Sequence, residues 1–199
     1  MHLDLHPPPP GPDRGPRHWR TTHRGRPAHG LLLAPYGSGT TTWLTHIAHA
    51  ARAARMRLWH ADPTFLDPAL DRACDWASEH PAQVLRAALA LPRHPVPTLV
   101  LLDHAHHATE TDLADWERLA LHGPGRGVGL VAATPTLARA GVGSALLRDA
   151  LTAVQYAVLG ELDEHGSADA ARDLPACPAH PGGGVYVNTA AAGAAARAA

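Results

Sequence analysis

The sequence predicts an α/β domain in which a mostly parallel sheet is flanked by helices. Short, wholly apolar runs alternate along the chain with segments of helical periodicity. The apolar runs lack the polar alternation of a one-sided sheet, so both faces of each strand are expected to be buried. Strands that alternate with helices require right-handed crossovers and therefore a mostly parallel sheet. A chain of 199 residues is long enough for one such domain.

The first part of the chain divides into an arm, a strand and a helix. Residues 1–27 are rich in Pro, Gly, Arg and His without periodicity, which predicts a disordered arm. The folded domain is expected to span residues 28–188, with order beginning near Gly30. Residues 31–34 are wholly apolar and form the first predicted strand. Residues 41–55 carry an apolar stripe at helical spacing and form the first predicted helix.

The remaining elements follow from the same two patterns. Further apolar runs predict strands over 56–60, 98–103, 128–133 and 153–159. Helical patterns predict helices over 68–77, 82–91, 112–121 and 145–151. Pro81 stands just before the second of these, where proline suits a first helical turn. Residues 183–187 are interpreted as an edge strand, and residues 189–199 as an alanine-rich tail.

Composition excludes several classes of protein. The net charge is −1 and the pI is near 7.0, so the overall field gives no reason to expect nucleic acid, although the arm is locally basic. Two distant cysteines make a disulfide framework or a zinc cluster unexpected. No long apolar run predicts a transmembrane helix, and the N-terminus lacks a signal-peptide pattern. A cytoplasmic protein is therefore expected.

A glycine-rich loop after the first strand predicts a phosphate-binding site. The residues aligned with G-x-x-x-x-G-K-[ST] are Ala34-Pro35-Tyr36-Gly37-Ser38-Gly39-Thr40-Thr41. Gly37, Ser38 and Gly39 let backbone amides converge on an anion at the positive end of the helix dipole. Thr41 supplies the hydroxyl that binds magnesium. The alternative interpretation is a turn whose Ser and Thr only cap the helix.

The lysine of this motif is replaced by Thr40. That lysine contacts the β- and γ-phosphates, and a hydrogen bond to a charged group contributes about 1.5–3 kcal/mol. Its loss is expected to weaken nucleotide binding roughly ten- to a hundredfold. All 17 basic residues of the chain are arginine, so no other lysine can substitute. Arg126, Arg139 or a neighbouring subunit remain as sources of a replacement cation.

A second candidate site follows the strand at 98–103. Its apolar run ends in Asp103, as expected for a strand that carries a magnesium-orienting aspartate. Hydrolysing proteins often have a glutamate next, which polarises the attacking water, and here His104 occupies that position. A neutral histidine can accept a proton, so His104 is a candidate general base. The alternatives are an aspartate that caps the turn, or a metal cluster that includes His106 and His107.

The polar residue that ends the strand at 128–133 is Thr134. Because the carboxyl ends of parallel strands line the ligand crevice, Thr134 is expected to face the γ-phosphate or its attacking water.

These motifs, in this order, resemble the motor domain of the FtsK/SpoIIIE-like DNA translocases. The matching segments are the entry to the loop, the strand ending in Thr134, the following helix and strand, and a late glycine turn with a closing strand, at residues 29–39, 127–134, 144–158 and 182–187. The resemblance implies a RecA-like P-loop NTPase fold, ATP with Mg²⁺ held by Thr41 and Asp103, a hexameric ring and double-stranded DNA. The departures from the family pattern are Ala34, Thr40, His104 and Pro135.

Three functions remain open from the sequence. The first is a degenerate P-loop domain that binds ATP weakly, hydrolyses it little or not at all, and acts in or regulates DNA translocation or plasmid transfer, with a competent translocase as a partner. The second is an active ATP-dependent DNA translocase. The third is a scaffold that binds no nucleotide. Arginines of the arm are a candidate contact for DNA phosphates.

Overall fold

A central sheet organises the chain in the computed structural model, which describes residues 2–4, 18–64, 67–92, 96–109, 112–162, 164–174 and 185–188. In chain order the strands are β1 (His2–Asp4), β2 (His18–Arg20), β3 (Thr22–His23), β4 (Arg26–Pro27), β5 (Gly30–Leu33), β6 (Arg57–Ala61), β7 (Trp76–Ser78), β8 (Thr98–Leu102), β9 (Val128–Thr134), β10 (Tyr156–Leu159) and β11 (Val185–Asn188). The helices are α1 (Thr40–Ala53), α2 (Pro68–Ala73), α3 (Pro81–Ala90), α4 (Ala105–Ala108), α5 (Leu113–His122), α6 (Arg139–Val142), α7 (Ala145–Thr152) and α8 (Glu164–Asp173).

The strand order within the described sheet is β11-β10-β5-β9-β8-β6-β7. All neighbouring pairs are parallel except β10 with β11, which is antiparallel. This confirms the predicted α/β fold with a mostly parallel sheet. The strand β9 lies between β5 and β8, and the three strands end at the same edge. The loop after β5, the end of β9 and Asp103 after β8 are therefore neighbours in space.

Helices cover both faces of the sheet. On one face, α1 packs against the sheet through Leu44, Ile47 and Ala48, and α2 adds Leu70. On the other face the apolar stripes of four helices, α3, α5, α7 and α8, form a second core with Trp116 fully buried. The strands between them are buried on both faces, which explains why they appear in the sequence as continuous apolar runs.

Most predicted elements are present with shifted ends. The helix predicted over 68–77 is the exception, since α2 ends at Ala73 and residues 76–78 form the edge strand β7. The Asp75 amide donates to the carbonyl of Leu58, and Asp75 Oδ2 accepts a 2.8 Å bond from the Leu58 amide. The Trp76 ring then packs edge-on against Trp59, with 5.2 Å between ring centroids. Tertiary pairing therefore overrides the local helical pattern.

The predicted disordered arm over residues 1–27 is wrong for residues 2–4, where β1 pairs with β2, and for residues 18–27. Trp19 is fully buried and belongs to the same core as α1. The Arg20 amide donates to Gln155 Oε1 at 2.8 Å, and Gln155 Nε2 donates back to the Arg20 carbonyl at 2.7 Å. Burial of one large aromatic ring anchors this segment despite its polar composition. Residues 5–17 and the predicted tail at 189–199 lie outside the described residues.

Among the described helices, none combines the length and the hydropathy that a membrane span requires.

Candidate functional site

A cavity of about 300 Å³ lies at the carboxyl edge of the sheet. Its wall combines the glycine-rich loop, the first turn of α1 and the ends of β8 and β9. The lining residues are Ala34, Tyr36, Gly37, Gly39, Thr40, Thr41, Thr42, Asp103, His104, Ala133, Thr134 and Pro135. The structure thus brings together, around one cavity, all the predicted site residues except Ser38, which lies within the same loop.

The loop has the backbone shape that an anion site needs. Gly37 and Gly39 adopt positive φ angles of 78° and 89°, a conformation that side chains disfavour. Gly39 directly precedes α1, and no side chain caps the helix. The first amides of α1 therefore keep no side-chain acceptor, and they point at the cavity with the positive end of the helix dipole. This geometry does not support the alternative in which Ser38 or Thr40 caps the helix.

Within the loop, the Ser38 side chain packs toward the end of β10. Its amide donates to the Pro35 carbonyl at 3.1 Å, and its buried hydroxyl has no hydrogen-bond partner among the described residues. A Cβ at Gly160, just after β10, would approach Ser38 Cβ to 2.8 Å. The end of β10 therefore packs directly against Ser38, and only a glycine at position 160 leaves room for this contact.

Asp103 is the buried carboxylate of the cavity. It is 3% exposed, and its amide donates to the Ala61 carbonyl of β6 at 2.9 Å. Burial raises the pKa of the Asp103 carboxyl above its ordinary value, the neighbouring His104 opposes the rise, and Asp62 adds to it. A carboxylate with these surroundings gains stability from a nearby cation.

His104 is held in a strained conformation. Its φ angle is 48°, in the left-handed region, and its amide donates to Asp103 Oδ1 at 2.8 Å. Its ring nitrogen Nδ1 lies 3.1 Å from Asp62 Oδ1 and 3.3 Å from Thr64 Oγ1. The ring is thereby oriented by an aspartate, an arrangement that fixes the tautomer of a histidine.

Tyr36 connects the loop to α4 across the cavity mouth. Its hydroxyl lies 2.8 Å from His106 Nε2, and its ring stacks on the ring of His104 with centroids 6.4 Å apart. The His106 and His107 rings are in contact, with centroids 4.0 Å apart. Burial, followed by the charges of His107 and His104, lowers the pKa of His106. These rings form a surface beside the phosphate loop.

Thr134 lies in the cavity wall, where the sequence predicts it, but its hydroxyl is engaged. The Oγ1 atom is 3.0 Å from the carbonyl oxygens of both Thr136 and Gly141. These contacts shape the loop that follows β9. To donate a hydrogen bond to a phosphate oxygen, the Thr134 hydroxyl would have to give up its bond to one of these carbonyls.

Of the candidate replacements for the missing lysine, Arg126 does not lie at the cavity. Arg126 belongs to a 3-10 turn that precedes β9, so it lies at the opposite edge of the sheet, where its guanidinium donates to the Leu91 carbonyl at 2.6 Å. Arg139 begins α6, and its side chain lies outside the described part of the structure. Neither lysine nor arginine is among the residues that line the cavity.

The sequence interpretation missed two residues that border this site. His60 and Asp62, at the end of β6, are buried at 1% and 2% exposure. The metal cluster considered for Asp103, His104, His106 and His107 is not the one that the geometry favours. In the described part of the chain, the histidine and carboxylate groups close enough to share an ion are His60, Asp62 and Asp103. The segment His60-Ala61-Asp62 carries no motif, so only the pairing of β6 with β8 reveals it.

Comparison with known proteins supports the fold. No protein-family profile and no curated protein sequence matches the chain. Among solved structures, the chain is similar to the pCW3 conjugation coupling protein TcpA in its monomer form with ATPγS, at 13% identity and a TM-score of 0.52. The similarity covers 75% of this chain and 55% of that one, so the chain spans about half the length of the coupling protein.

Two further structures have the same fold. The genome packaging NTPase B204 from Sulfolobus turreted icosahedral virus 2, in complex with sulfate, matches at a TM-score of 0.58 and 12% identity, over 76% of this chain and 83% of that chain. The cytoplasmic domain of the Type VII secretion ATPase EccC from Thermomonospora curvata matches at 0.50 and 17%, over 70% of this chain and 20% of that chain. These similarities confirm the predicted α/β fold with a mostly parallel sheet of the P-loop NTPase type.

Proposed function

We propose that this chain is a degenerate FtsK/SpoIIIE-like P-loop domain that binds ATP weakly, hydrolyses it little or not at all, and acts in or regulates DNA translocation. One observation carries the proposal. The glycine-rich loop, an uncapped helix terminus and a buried aspartate enclose one cavity, while the lysine that would complete the cavity is a threonine. The anion-binding geometry is thus kept and its principal cation is lost.

In this proposal the glycine-rich loop binds the phosphate groups of ATP. Within the first turn of α1, the backbone amides that follow Gly39 favour negative charge. The positive end of the helix dipole acts in the same direction. The buried Ser38 hydroxyl and the Thr40 hydroxyl are neutral hydrogen-bonding groups in the same loop. Neutral groups bind phosphate more weakly than an ammonium group does, which supports weak rather than tight nucleotide binding.

The residues present fit a magnesium ion that accompanies the nucleotide. Thr41 and Asp103 both line the cavity and offer a hydroxyl and a carboxylate oxygen. Mg²⁺ prefers oxygen ligands and is commonly held by one or two protein groups together with phosphate oxygens. When bound, the ion would supply charge neutralisation at the phosphates. The proposed ligands are therefore Thr41 and Asp103, as the resemblance implies.

Weak or absent hydrolysis follows from charge. A phosphoryl-transfer transition state gathers negative charge on the terminal phosphate, and enzymes neutralise it with lysine, arginine and metal ions. Neither lysine nor arginine is among the residues that line this cavity, and Asp103 adds negative charge. Turnover therefore requires an arginine from a neighbouring subunit, as in a hexameric ring, or a competent translocase as the partner.

The contact between His104 and Asp62 favours the alternative function, an active translocase. His104 Nδ1 is oriented by Asp62 at 3.1 Å, so its other ring nitrogen is positioned to accept a proton from water. In this version His104 replaces the usual glutamate as the catalytic base, and Thr134 senses the terminal phosphate.

A DNA contact is also proposed, with the arginines of the N-terminal segment as candidates. Arg24 and Arg26 are exposed, and the Arg26 guanidinium approaches Gly125 in the 3-10 turn, at the edge of the sheet opposite the cavity. Deleting residues 1–27 would remove Trp19 from the core, so charge substitutions are the cleaner test. Arg24→Ala with Arg26→Ala is expected to weaken any DNA binding and to reduce its salt dependence.

Calorimetric titration with ATP, in the presence and absence of Mg²⁺, tests the proposed function. The expected result is weak binding that strengthens with Mg²⁺ and is lost in Asp103→Asn and weakened in Thr41→Ala. Thr45→Ala is the matched control, because it removes a hydroxyl one turn further along α1, where Thr45 donates to the Thr41 carbonyl. If neither the natural protein nor Thr40→Lys binds a triphosphate, the chain is a scaffold. ATP hydrolysis stimulated by DNA would instead establish the active translocase.

A further inference from the structure

A buried cluster at the ends of β6 and β8 combines one imidazole with two carboxylates. A ring nitrogen of His60 and one carboxylate oxygen each from Asp62 and Asp103 lie within 4.8 Å of one another. The strands explain the proximity. His60 and Asp62 alternate onto the same face of β6, and Asp103 is tied to β6 because its amide donates to the Ala61 carbonyl at 2.9 Å.

The His60 ring is prepared to act as a ligand. Its Nδ1 atom lies 2.6 Å from Asp71 Oδ1, a carboxylate on α2. That contact places the proton on Nδ1 and leaves the lone pair on Nε2. In the described structure Nε2 is buried and has no hydrogen-bond partner, although the residue is only 1% exposed. A carboxylate that orients a histidine in this way is typical of the groups surrounding a metal ligand.

A cation would stabilise the two buried carboxylates, Asp62 and Asp103. Asp62 and Asp103 are both about 97% buried or more and lie close together, so their negative charges repel each other in a poorly solvated place. His104 Nδ1 lies 3.1 Å from a carboxylate oxygen of Asp62 and 3.7 Å from one of Asp103. A divalent ion between the carboxylates would offset the repulsion and satisfy the His60 lone pair at the same time.

We infer that His60, Asp62 and Asp103 form a binding site for a divalent transition-metal ion, which Asp71 supports by orienting His60. One nitrogen and two carboxylate ligands suit Mn²⁺ or a related first-row ion better than Mg²⁺, which demands oxygen ligands. Asp103 also lines the open cavity, which gives an ion a path to the site. The site shares Asp103 with the proposed Mg²⁺ ligands of the ATP site, but it needs no nucleotide, so metal binding without ATP tests it separately.

Mn²⁺ binding to the full chain without nucleotide tests the inference. The loss of the free Mn²⁺ electron paramagnetic resonance signal on titration measures the affinity, and pulsed measurements detect coupling of the ion to an imidazole nitrogen. We expect binding, nitrogen coupling, and at least tenfold weaker binding of Mg²⁺ in competition. The failure of Mn²⁺ to bind, or binding without nitrogen coupling, overturns the site.

Matched variants assign the ligands. Asp62→Asn and His60→Gln are expected to weaken Mn²⁺ binding more than tenfold, and Asp71→Asn about tenfold through the orientation of His60. His46→Gln, at an exposed position of α1, is the control for loss of a histidine and should leave the affinity unchanged. Asp62→Asn has nearly the shape of the natural side chain, and its circular dichroism verifies folding. An Asp62→Asn protein that is folded and binds Mn²⁺ as tightly as the natural protein overturns the inference.

Discussion

His104 Nδ1 lies 3.1 Å from Asp62 Oδ1, and the same oxygen accepts hydrogen bonds from the amide and hydroxyl of Thr64 at 2.8 and 2.7 Å. The residue that replaces the usual glutamate is therefore part of a network at the end of β6. A glutamate at this position could not donate to Asp62. The histidine at position 104 thus provides a hydrogen-bond donor where Asp62 offers an acceptor.

Restoring the glutamate is expected to harm the fold. His104→Glu would place a third carboxylate beside two buried ones, and it would remove a partner of Asp62. We expect a loss of about 1–3 kcal/mol in the free energy of unfolding at pH 7.5, measured with urea. His49→Glu, at an exposed position of α1, is the control and should change stability by less than about 0.5 kcal/mol. Equal stability of the two variants would mean that Asp62 does not depend on His104.

Restoring the lysine is expected to help binding. Thr40→Lys adds a cation to a cavity lined by no lysine or arginine in the described structure. A charged hydrogen bond to phosphate should tighten Mg²⁺–ATP binding about ten- to a hundredfold, measured by calorimetry. His46→Lys adds the same charge at an exposed position of α1, away from the loop, and should have little effect. A similar gain in both variants would indicate nonspecific attraction rather than a phosphate site.

The contact of Trp19 with β5 is expected to stabilise the site. A Cβ at Gly30 would lie 2.3 Å from Trp19 Cζ2, so the ring fits only against glycine. Trp19→Ala should cost about 3–5 kcal/mol and Gly30→Ala about 1–3 kcal/mol. The double variant should lose less than the sum, because the clash requires both side chains. Leu121→Ala removes an apolar side chain that is 49% exposed and serves as the control. Additive losses would show that the two residues do not meet.

Stability is expected to fall in mild acid because of His29. Burial lowers the pKa of His29 to about 4, and its Nδ1 accepts a 2.8 Å hydrogen bond from the Leu130 amide. The unfolded chain binds a proton near pH 6.5 and the folded chain does not, so this contribution is complete above pH 6.5. It is lost as the pH falls toward 4, by roughly 3 kcal/mol in total.

Urea unfolding between pH 7 and pH 4 measures this dependence. His29→Gln should flatten the curve over that window, whereas His46→Gln, at an exposed position, should leave its slope as in the natural protein. If His29→Gln retains the full slope, another group is responsible for the acid sensitivity.

The features that the sequence predicted well are those set by local pattern. Buried parallel strands are continuous apolar runs, and the loop after β5 has glycines at fixed offsets, so β5, β8, β9 and the cavity they border were predictable. The features it missed depend on distant partners. Trp19 is in a segment of polar composition, and β7 is a strand because it pairs with β6. His60 becomes notable only when β6 is placed beside β8.

The reciprocal hydrogen bonds between Arg20 and Gln155 join residues that are 135 positions apart. The strand that carries the phosphate loop is likewise completed by β9 and β10, which come from the second half of the chain. Contacts of such long sequence separation form late, because the loop-closure entropy must be lost before they contribute. During synthesis, therefore, we expect the loop to reach its final shape only after β10 has been made, because β5 pairs with both β9 and β10.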